Sequence, residues 1–134
     1  MIRIKALSDP VSKEDGLRVL VTRYRPRYIR KQDETWQEWD ISVAPSRELH
    51  ADFYGKNGRK VSWQEYKGRY LTEMRAQKDR IRYWAERSKK ENITLLCFCK
   101  DENRCHRTLL KKLIMEDKSH EKSHVRQHKD VESV

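Results

Sequence analysis

The sequence has no long apolar segment. None of its apolar runs approaches the ~18 residues that a membrane-spanning helix requires. The first residues, MIRIKALSDP, also lack the apolar stretch of a secretory signal peptide. We therefore expect a cytoplasmic protein without a membrane partner, in which the three cysteines are reduced thiols rather than disulfides.

Basic residues outnumber acidic residues in this sequence. The chain has 31 Lys and Arg against 21 Asp and Glu, a net charge of +10 and a pI near 9.6. This excess attracts anions, so we expect nucleic acid, a nucleotide or an acidic protein as the partner. The alternative is that the charged residues, 39% of the chain, only keep the surface soluble. A chain of 134 residues is most simply one domain.

Four short segments have the patterns of strands. Residues Ile2 to Ala6 alternate apolar and basic side chains, and Leu17 to Arg23 begins with a run rich in β-branched residues. A third strand is predicted near Asp40 to Val43. The segment from Ile93 to Cys99 is apolar on both faces, which is typical of a central strand in a parallel sheet.

Helical patterns separate these strands. Ser46 is a candidate N-cap for a helix through Tyr54, and Ser62 with Glu65 forms a capping box for a longer helical stretch that reaches Lys90. Strands and helices together predict an α/β fold. We expect a three-layer sandwich with a small, mainly parallel sheet of about four strands flanked by helices.

After Met115 the chain becomes mostly polar. We therefore predict a single α/β domain over residues 1–116 and a polar, disordered tail over residues 117–134. His120, His124 and His128 are four residues apart and would share one face of a helix, where they could hold zinc or nickel. The entropy of ordering such a tail opposes metal binding.

A basic loop follows the second predicted strand. The segment from Arg18 to Lys31 contains no acidic residue, and Pro26 keeps it out of helical geometry. Arginine side chains bind phosphate through paired N–H groups, and interleaved tyrosines can stack on bases. The alternative is a solvated loop whose tyrosines pack on the core. The candidate anion ligands of this loop are Arg23, Arg25 and Arg27.

All three cysteines fall between positions 97 and 105. The pleat of the last strand puts Cys97 in the core and Cys99 at the carboxyl rim, so only Cys99 is well placed to react. A helix capped by Asp101 or Asn103 then carries Cys105-His-Arg107 in its first turn. The positive end of that helix favours an anion and would lower the pKa of Cys105.

Four interpretations of these residues compete. In the first, the cysteines only pack a strand against a helix, and His106 is hydrogen-bonded locally. In the second, Cys97, Cys99, Cys105 and His106 bind zinc. Adjacent side chains on a helix diverge by about 100°, which argues against a shared metal ion. We therefore assign no metal ion and no cofactor to the chain.

In the third interpretation, Cys99 and Arg104 belong to a loop like that of sulfurtransferases and phosphatases. The turn between them has no glycine, however, and its Asp101 and Glu102 would repel an anionic substrate. The fourth interpretation is an anion or nucleotide site at the helix N-terminus, with or without catalysis. Its residues are Cys105, His106 and Arg107.

Several short motifs are spread over most of residues 1 to 115. They are Asp9-Pro10, Asp15-Gly16, Arg23-Tyr-Arg-Pro-Arg27, Ala44-Pro45-Ser46, Glu48-Leu49, Trp63 with Tyr66 and Tyr70, Leu95-Leu-Cys97 and Cys105-His-Arg107. Together these motifs resemble domain-of-unknown-function family 488, although the loop after the second strand is more basic here than in many relatives. The resemblance implies a compact α/β domain without an established activity, suspected in some contexts to act near nucleic acid.

The two loops that follow the strongest strands are expected at one edge of the sheet, where α/β proteins bind ligands. We predict a shared anion-binding cleft lined by the loop arginines, by Arg104 and by Cys105-His-Arg107. In an enzyme, His106 would be the acid–base and Cys99 or Cys105 the nucleophile toward a phosphate-bearing substrate. In a binding module, the same residues would only hold phosphate.

Overall fold

The computed structural model describes the backbone of residues 1–128 and the side chains of residues 1–117. It contains a sheet of four parallel strands in the order β1-β4-β2-β3, packed with helices. The predicted α/β sandwich is therefore confirmed. The strands are β1 (Ile2–Ala6), β2 (Leu17–Leu20), β3 (Glu38–Trp39) and β4 (Ile93–Cys97), and the helices are α1 (Arg47–Phe53), α2 (Trp63–Met74), α3 (Lys78–Ser88) and α4 (His106–His128).

The main core lies between one face of the sheet and the helices. Val19 and Leu95 point to this face, where they belong to the same buried cluster as Tyr70, Trp84 and Leu110 of α2, α3 and α4. The pleat turns the next residues, Leu20 and Leu96, to the opposite face. There they form a smaller cluster with Trp36, Leu7 and Ile29, all from loops.

The strand β4 is central, as its sequence predicts. Every residue of β4 is buried, and the strand pairs in parallel with β1 on one side and with β2 on the other. Ala6 pairs with Cys97 and Leu20 pairs with Leu96, so the carboxyl ends of all three strands meet at one edge. This edge receives the two loops that carry the candidate site residues.

Three predicted strand boundaries are wrong. The third strand is Glu38–Trp39 rather than Asp40 to Val43, because the Asp40 carboxylate accepts a hydrogen bond from Ser42 N and caps a 3-10 turn. The strand β4 ends at Cys97 rather than Cys99, and β2 ends at Leu20 rather than Arg23. Within residues 1–128, the last paired residues of these strands are Cys97 with Ala6 and Leu20 with Leu96.

The predicted helix starts are confirmed at two serines. Ser46 Oγ accepts a hydrogen bond from Leu49 N at 3.1 Å and caps α1. Ser62 Oγ accepts one from Glu65 N at 3.1 Å and caps α2. The first helix matters for the site, because it carries His50 and ends beside Tyr54.

The backbone of α4 is helical to His128, beyond the domain boundary predicted at residue 116. The division into a domain and a tail stays a prediction, and the side chains of His120, His124 and His128 lie outside the described residues. Among the described helices, none is long and apolar enough to cross a membrane. The cytoplasmic location likewise stays a prediction.

Two glycines provide a matched test of the fold. Gly16 has a φ of 62°, and a Cβ there would lie 2.2 Å from the carbonyl oxygen of Asn92. We expect Gly16→Ala to destabilise the protein by about 2 kcal/mol or more, because it adds a backbone clash to a strained φ. Gly68 lies within α2 with open space around it. Gly68→Ala should therefore stabilise the protein by about 0.5–1 kcal/mol.

The measurement is the free energy of unfolding in urea for both variants and the wild type. Equal stability of the Gly16→Ala variant and the wild type would show that Gly16 does not lie against the carbonyl oxygen of Asn92.

Candidate active site

A small cleft opens at the edge where the carboxyl ends of β2 and β4 meet. Its floor is formed by Cys97, Cys105 and His106, its walls are mostly aromatic, and Arg23 and Arg104 belong to its lining. The cavity volume is about 30 Å³, which is enough for a water-sized group. We therefore expect only a small part of a substrate to reach Cys97, Cys105 and His106.

Three ligand-type side chains converge at the floor. Cys97 is the last residue of β4, Cys105 is extended with φ −140° and ψ 142°, and His106 is the first residue of α4. All three are buried, and their two sulfur atoms and one ring nitrogen lie within 4.8 Å of one another. The predicted divergence of Cys105 and His106 is wrong, because the helix begins only at His106.

A hydrogen bond to the backbone fixes the orientation of His106. Its Nε2 lies 2.6 Å from the carbonyl oxygen of Val21, just past the end of β2. A carbonyl can only accept, so Nε2 carries a proton. The other ring nitrogen, Nδ1, then faces the sulfur atoms, 4.0 Å from Cys105 Sγ. The Tyr70 ring supports the imidazole at a centroid distance of 5.5 Å.

Arg107 holds Cys105 and the backbone at Cys99 in place. Its guanidinium is buried and donates to Cys105 Sγ at 3.3 Å and to the carbonyl oxygen of Cys99. The sequence places Arg107 among the anion ligands, but in the structure its contacts are with the protein and it does not line the cleft. Because Cys105 Sγ accepts from Arg107, its own S–H is available to donate to Cys97.

These contacts favour a thiolate at Cys97 and a protonated ring at His106. Hydrogen bonding from the Cys105 thiol, together with the His106 charge, holds the pKa of Cys97 well below its usual range. Burial disfavours the charged His106 ring, but the Cys97 thiolate, the hydrogen bond to Val21 and the charge of Cys99 together outweigh burial and raise the pKa of His106. The pKa of Cys105 is raised, because Cys105 is the donor and is buried. This is opposite to the lowered pKa expected for Cys105 from its sequence.

Cys99 competes with Cys97 for the same donor. Hydrogen bonding from Cys105 lowers the pKa of Cys99 to about 6. One S–H can donate to only one sulfur at a time, and only Cys97 also interacts with the His106 ring through a hydrogen bond. Cys97 is therefore the better placed thiolate, although its position in the strand predicts a core residue.

The three arginines of the basic loop have different surroundings in the structure. Arg23 lines the cleft and is held by a hydrogen bond from its Nε to Pro45 O at 2.9 Å. Arg25 instead pairs with Glu34 and lies 5.8 Å from the centre of the Trp36 ring. Arg27 is exposed and is not part of the lining. Of the predicted anion ligands, Arg23 and Arg104 thus remain at the cleft.

Aromatic residues form a wall that the sequence does not reveal as a unit. The His50 ring lies 5.1 Å from Tyr24 and 4.8 Å from Tyr54, measured between ring centres. His50 and Tyr54 are four residues apart on a capped helix, which is the pattern that could have indicated a shared face. Burial and then the Lys56 charge lower the pKa of His50, so its ring is neutral near pH 7.

Cys97, Cys105 and His106 could also supply three ligands to a soft metal ion such as zinc. A histidine whose second nitrogen donates to a carbonyl is common around zinc. Two sulfurs on one tetrahedral zinc lie about 3.8 Å apart, since Zn–S is about 2.3 Å. The three ligand atoms spread over as much as 4.8 Å and would have to move closer together. The absence of a metal ion stays a prediction.

Residues 2–118 match the family described as the active DUF488-N3 subclade. The uncharacterised protein YeaO of Escherichia coli is 34% identical over 109 residues, which cover 81% of this chain and 92% of YeaO. The uncharacterised proteins Mb3100c of Mycobacterium bovis and MT3158 of Mycobacterium tuberculosis are each 34% identical over 73 residues, which cover 54% of this chain and 59% of each relative. No solved structure matches the chain.

The donor role of Cys105 can be tested by a matched pair of variants in a Cys99→Ser background. Cys105→Ala removes the donor, so the pKa of Cys97 should rise toward that of a free thiol. Cys105→Ser keeps an O–H donor and should keep the pKa of Cys97 low. Ultraviolet absorbance of the thiolate as a function of pH measures both. Equal behaviour of the two variants would contradict a hydrogen bond from Cys105 to Cys97.

Proposed function

Because the chain belongs to the active DUF488-N3 subclade, we propose that it is a thiol enzyme acting on a negatively charged substrate, with Cys97 as nucleophile and His106 as proton donor. The observation that carries this proposal is the set of contacts around Cys97: the Cys105 thiol, the His106 ring, and the Val21 carbonyl that orients that ring. A nucleophile, a base and a group that orients the base are the recurrent parts of such sites.

The energetics of burial support a functional role for the thiolate. A buried charge is costly unless it is paired and hydrogen-bonded. Here the Cys97 thiolate has the His106 imidazolium and the Cys105 thiol, and Arg107 adds a positive charge behind Cys105. A reactive cysteine stabilised by a neighbouring imidazolium and cations is the usual environment of a catalytic thiol, whereas structural buried cysteines are protonated.

The charge around the cleft supports an anionic substrate. Arg23 and Arg104 line it, and no acidic side chain belongs to its lining within residues 1–117. The amino end of α4 begins at the floor with His106, and helix amino ends favour anions. The net charge of +10 would add long-range attraction.

The proposed chemistry has two steps. In the first, Cys97 Sγ forms a bond to the electrophilic atom of the substrate, and the bond to the leaving group breaks. The leaving group takes the proton of His106 Nδ1. In the second, the neutral His106 accepts a proton from water, which attacks the adduct and frees the Cys97 thiolate. Each step conserves charge and needs no oxidant or reductant.

The loop around Cys99 gives less support to the alternative nucleophile. Cys99 Sγ contacts the carbonyl oxygens of Asp101 and Arg104 at 3.7 and 3.8 Å. A phosphatase-like or sulfurtransferase-like loop surrounds its ligand with backbone N–H groups, which attract anions. Carbonyl oxygens near Cys99 would repel the anion that such a reaction needs. Cys97 is therefore preferred over Cys99.

Selective alkylation tests the nucleophile. At about pH 6, an ordinary thiol with a pKa of about 8.5 is only ~0.3% ionised. We expect iodoacetamide to label Cys97 at least about tenfold faster than Cys105, as measured by mass spectrometry of peptides. Because the pKa of Cys99 is also lowered, to about 6, the test uses a Cys99→Ser background, in which the fast reaction should remain and Cys97→Ser should abolish it. In urea the remaining thiols should react alike. Slow labelling of Cys97, or a tightly bound zinc ion that blocks it, would contradict the proposal.

The same reaction tests the anion site. Iodoacetate carries a negative charge and iodoacetamide does not, so the ratio of their rates at Cys97 reports the local potential. Arg23→Ala and Arg104→Ala should each reduce this ratio by about two- to fivefold. Arg27→Ala is the matched control, because Arg27 is exposed and outside the cleft. A ratio unchanged in the Arg23 and Arg104 variants would remove the anion from the proposal.

A further inference from the structure

The mouth of the cleft has an unusual concentration of exposed aromatic surface. Tyr24, Tyr54 and Phe98 are 42%, 54% and 37% exposed, and all three belong to its lining. Exposed aromatic rings cost free energy in water, and soluble proteins keep them together mainly where something binds. The clustering of three exposed rings at one cleft therefore indicates a binding surface, whereas a single exposed ring would not.

Three other aromatic residues within residues 1–117 are exposed, and they lie outside the cleft lining. Tyr28 is a single ring on the basic loop, whereas Tyr83 and Trp39 are engaged by other groups. The Tyr83 ring is covered by the Arg80 guanidinium at 4.4 Å. Trp39 donates its ring N–H to the carbonyl oxygen of Thr22 at 2.8 Å. At the cleft, by contrast, Tyr24 and Tyr54 pack edgewise or tilted against His50 between them. Part of their surface stays open to solvent.

Positive charge lies beside these rings. Arg23 is the chain neighbour of Tyr24, Arg104 lines the same cleft, and Lys56 Nζ is 5.9 Å from the centre of the Tyr24 ring. Burial raises the pKa of Tyr54 to about 12, so its phenol is neutral and does not repel an anion. Aromatic rings next to cations form the surface on which proteins hold bases and phosphates together.

The small volume of the cavity restricts where such a ligand can bind. The cavity volume of about 30 Å³ corresponds to a water-sized space, so we expect a purine or pyrimidine ring to lie at the open side of the cleft, against Tyr24 and Tyr54. Only a reacting substituent can then reach Cys97. The exposed rings lie where a base would stack, and the arginines lie where its phosphate would be neutralised.

We propose that the substrate is a nucleotide unit whose base stacks on Tyr54 and Tyr24 while its phosphate binds Arg23 and Arg104. This inference rests on the proposed thiol chemistry for its reaction, but the binding it describes can be tested separately. The shared chemistry is a base joined to a phosphate, from either a free nucleotide or a single strand of nucleic acid.

Binding is measured by calorimetry with defined probes. The probes are the four ribonucleoside 5′-monophosphates, and ribose 5-phosphate serves as the phosphate without a base. We expect at least one nucleotide to bind about tenfold or more tightly than ribose 5-phosphate, because stacking on an aromatic side chain contributes that much. If none binds more tightly than ribose 5-phosphate, the base subsite is wrong.

Matched variants identify the stacking surface. Tyr54→Ala should remove the advantage of the nucleotide over ribose 5-phosphate, and Tyr54→Phe should keep it, because the ring is retained. Tyr83→Ala is the control, since Tyr83 is a partly exposed ring away from the cleft. Arg23→Ala should weaken nucleotide and ribose 5-phosphate by the same factor. An unchanged preference in Tyr54→Ala would overturn the inference.

A protection experiment separates this inference from the proposed enzyme. The preferred nucleotide should slow the alkylation of Cys97 by iodoacetamide. If Cys97 reacts fast but no nucleotide binds or protects, the base subsite fails and the thiol enzyme stands. If nucleotides bind through Tyr54 while Cys97 reacts slowly, the enzyme fails and the base subsite stands. A ten-nucleotide single strand that binds much more tightly than the monomer, with strong salt dependence, identifies a strand as the source.

Discussion

The hydrogen bond from His106 Nε2 to the Val21 carbonyl holds the candidate site together. It joins the first residue of α4 to the chain just past the end of β2, and thereby connects the two loops at the carboxyl edge of the sheet. It also fixes which ring nitrogen faces the sulfur atoms. Without it, His106 could turn, and neither Cys97 nor Cys105 would have a defined partner. The positions of both sulfurs depend on the same edge, through β4 and the start of α4.

The central sheet explains why this edge can carry a buried charge. The strand β4 is buried throughout and is paired on both sides, so its last residue, Cys97, has a rigid position. Tyr70, fully buried in the core, supports the His106 ring and donates its hydroxyl to Val43 O at 2.7 Å. The helix layer thus extends up to the imidazole. A site held this firmly can exclude water from a thiolate and an imidazolium. The attraction between the two charges is stronger when water is excluded.

Much of the fold follows from local sequence patterns. The apolar run from Ile93 predicts the central strand, because only a strand covered on both faces can bury every side chain. Ser46 and Ser62 predict helix starts, because their hydroxyls satisfy free backbone N–H groups. The third strand is predicted too late in the chain, because two contacts of Asp40 act together. Its carboxylate accepts from Ser42 N and caps the 3-10 turn, and it also accepts from Trp84 Nε1 at 2.8 Å, a contact distant in sequence that local patterns do not reveal.

The site was less predictable for the same reason. Cys105 and His106 converge because the helix starts between them, and a shift of one residue in that boundary would separate them. Arg25 has a pattern typical of phosphate binding, yet its partner is Glu34, nine positions away. His50 reaches the cleft only through the packing of α1. Chemical composition identified the right segment, whereas the roles within it required side-chain geometry.

The protonation of His106 at neutral pH tests the central claim most directly. In a protein labelled with ¹⁵N, the chemical shifts of the two ring nitrogens distinguish an imidazolium from either neutral tautomer. At pH 7 we expect both nitrogens of the wild-type ring to carry protons, because the Cys97 thiolate raises the pKa of His106. In Cys97→Ser, Nδ1 should lose its proton while Nε2 stays bonded to Val21. A neutral His106 in the wild type at pH 7 would contradict the thiolate–imidazolium pair.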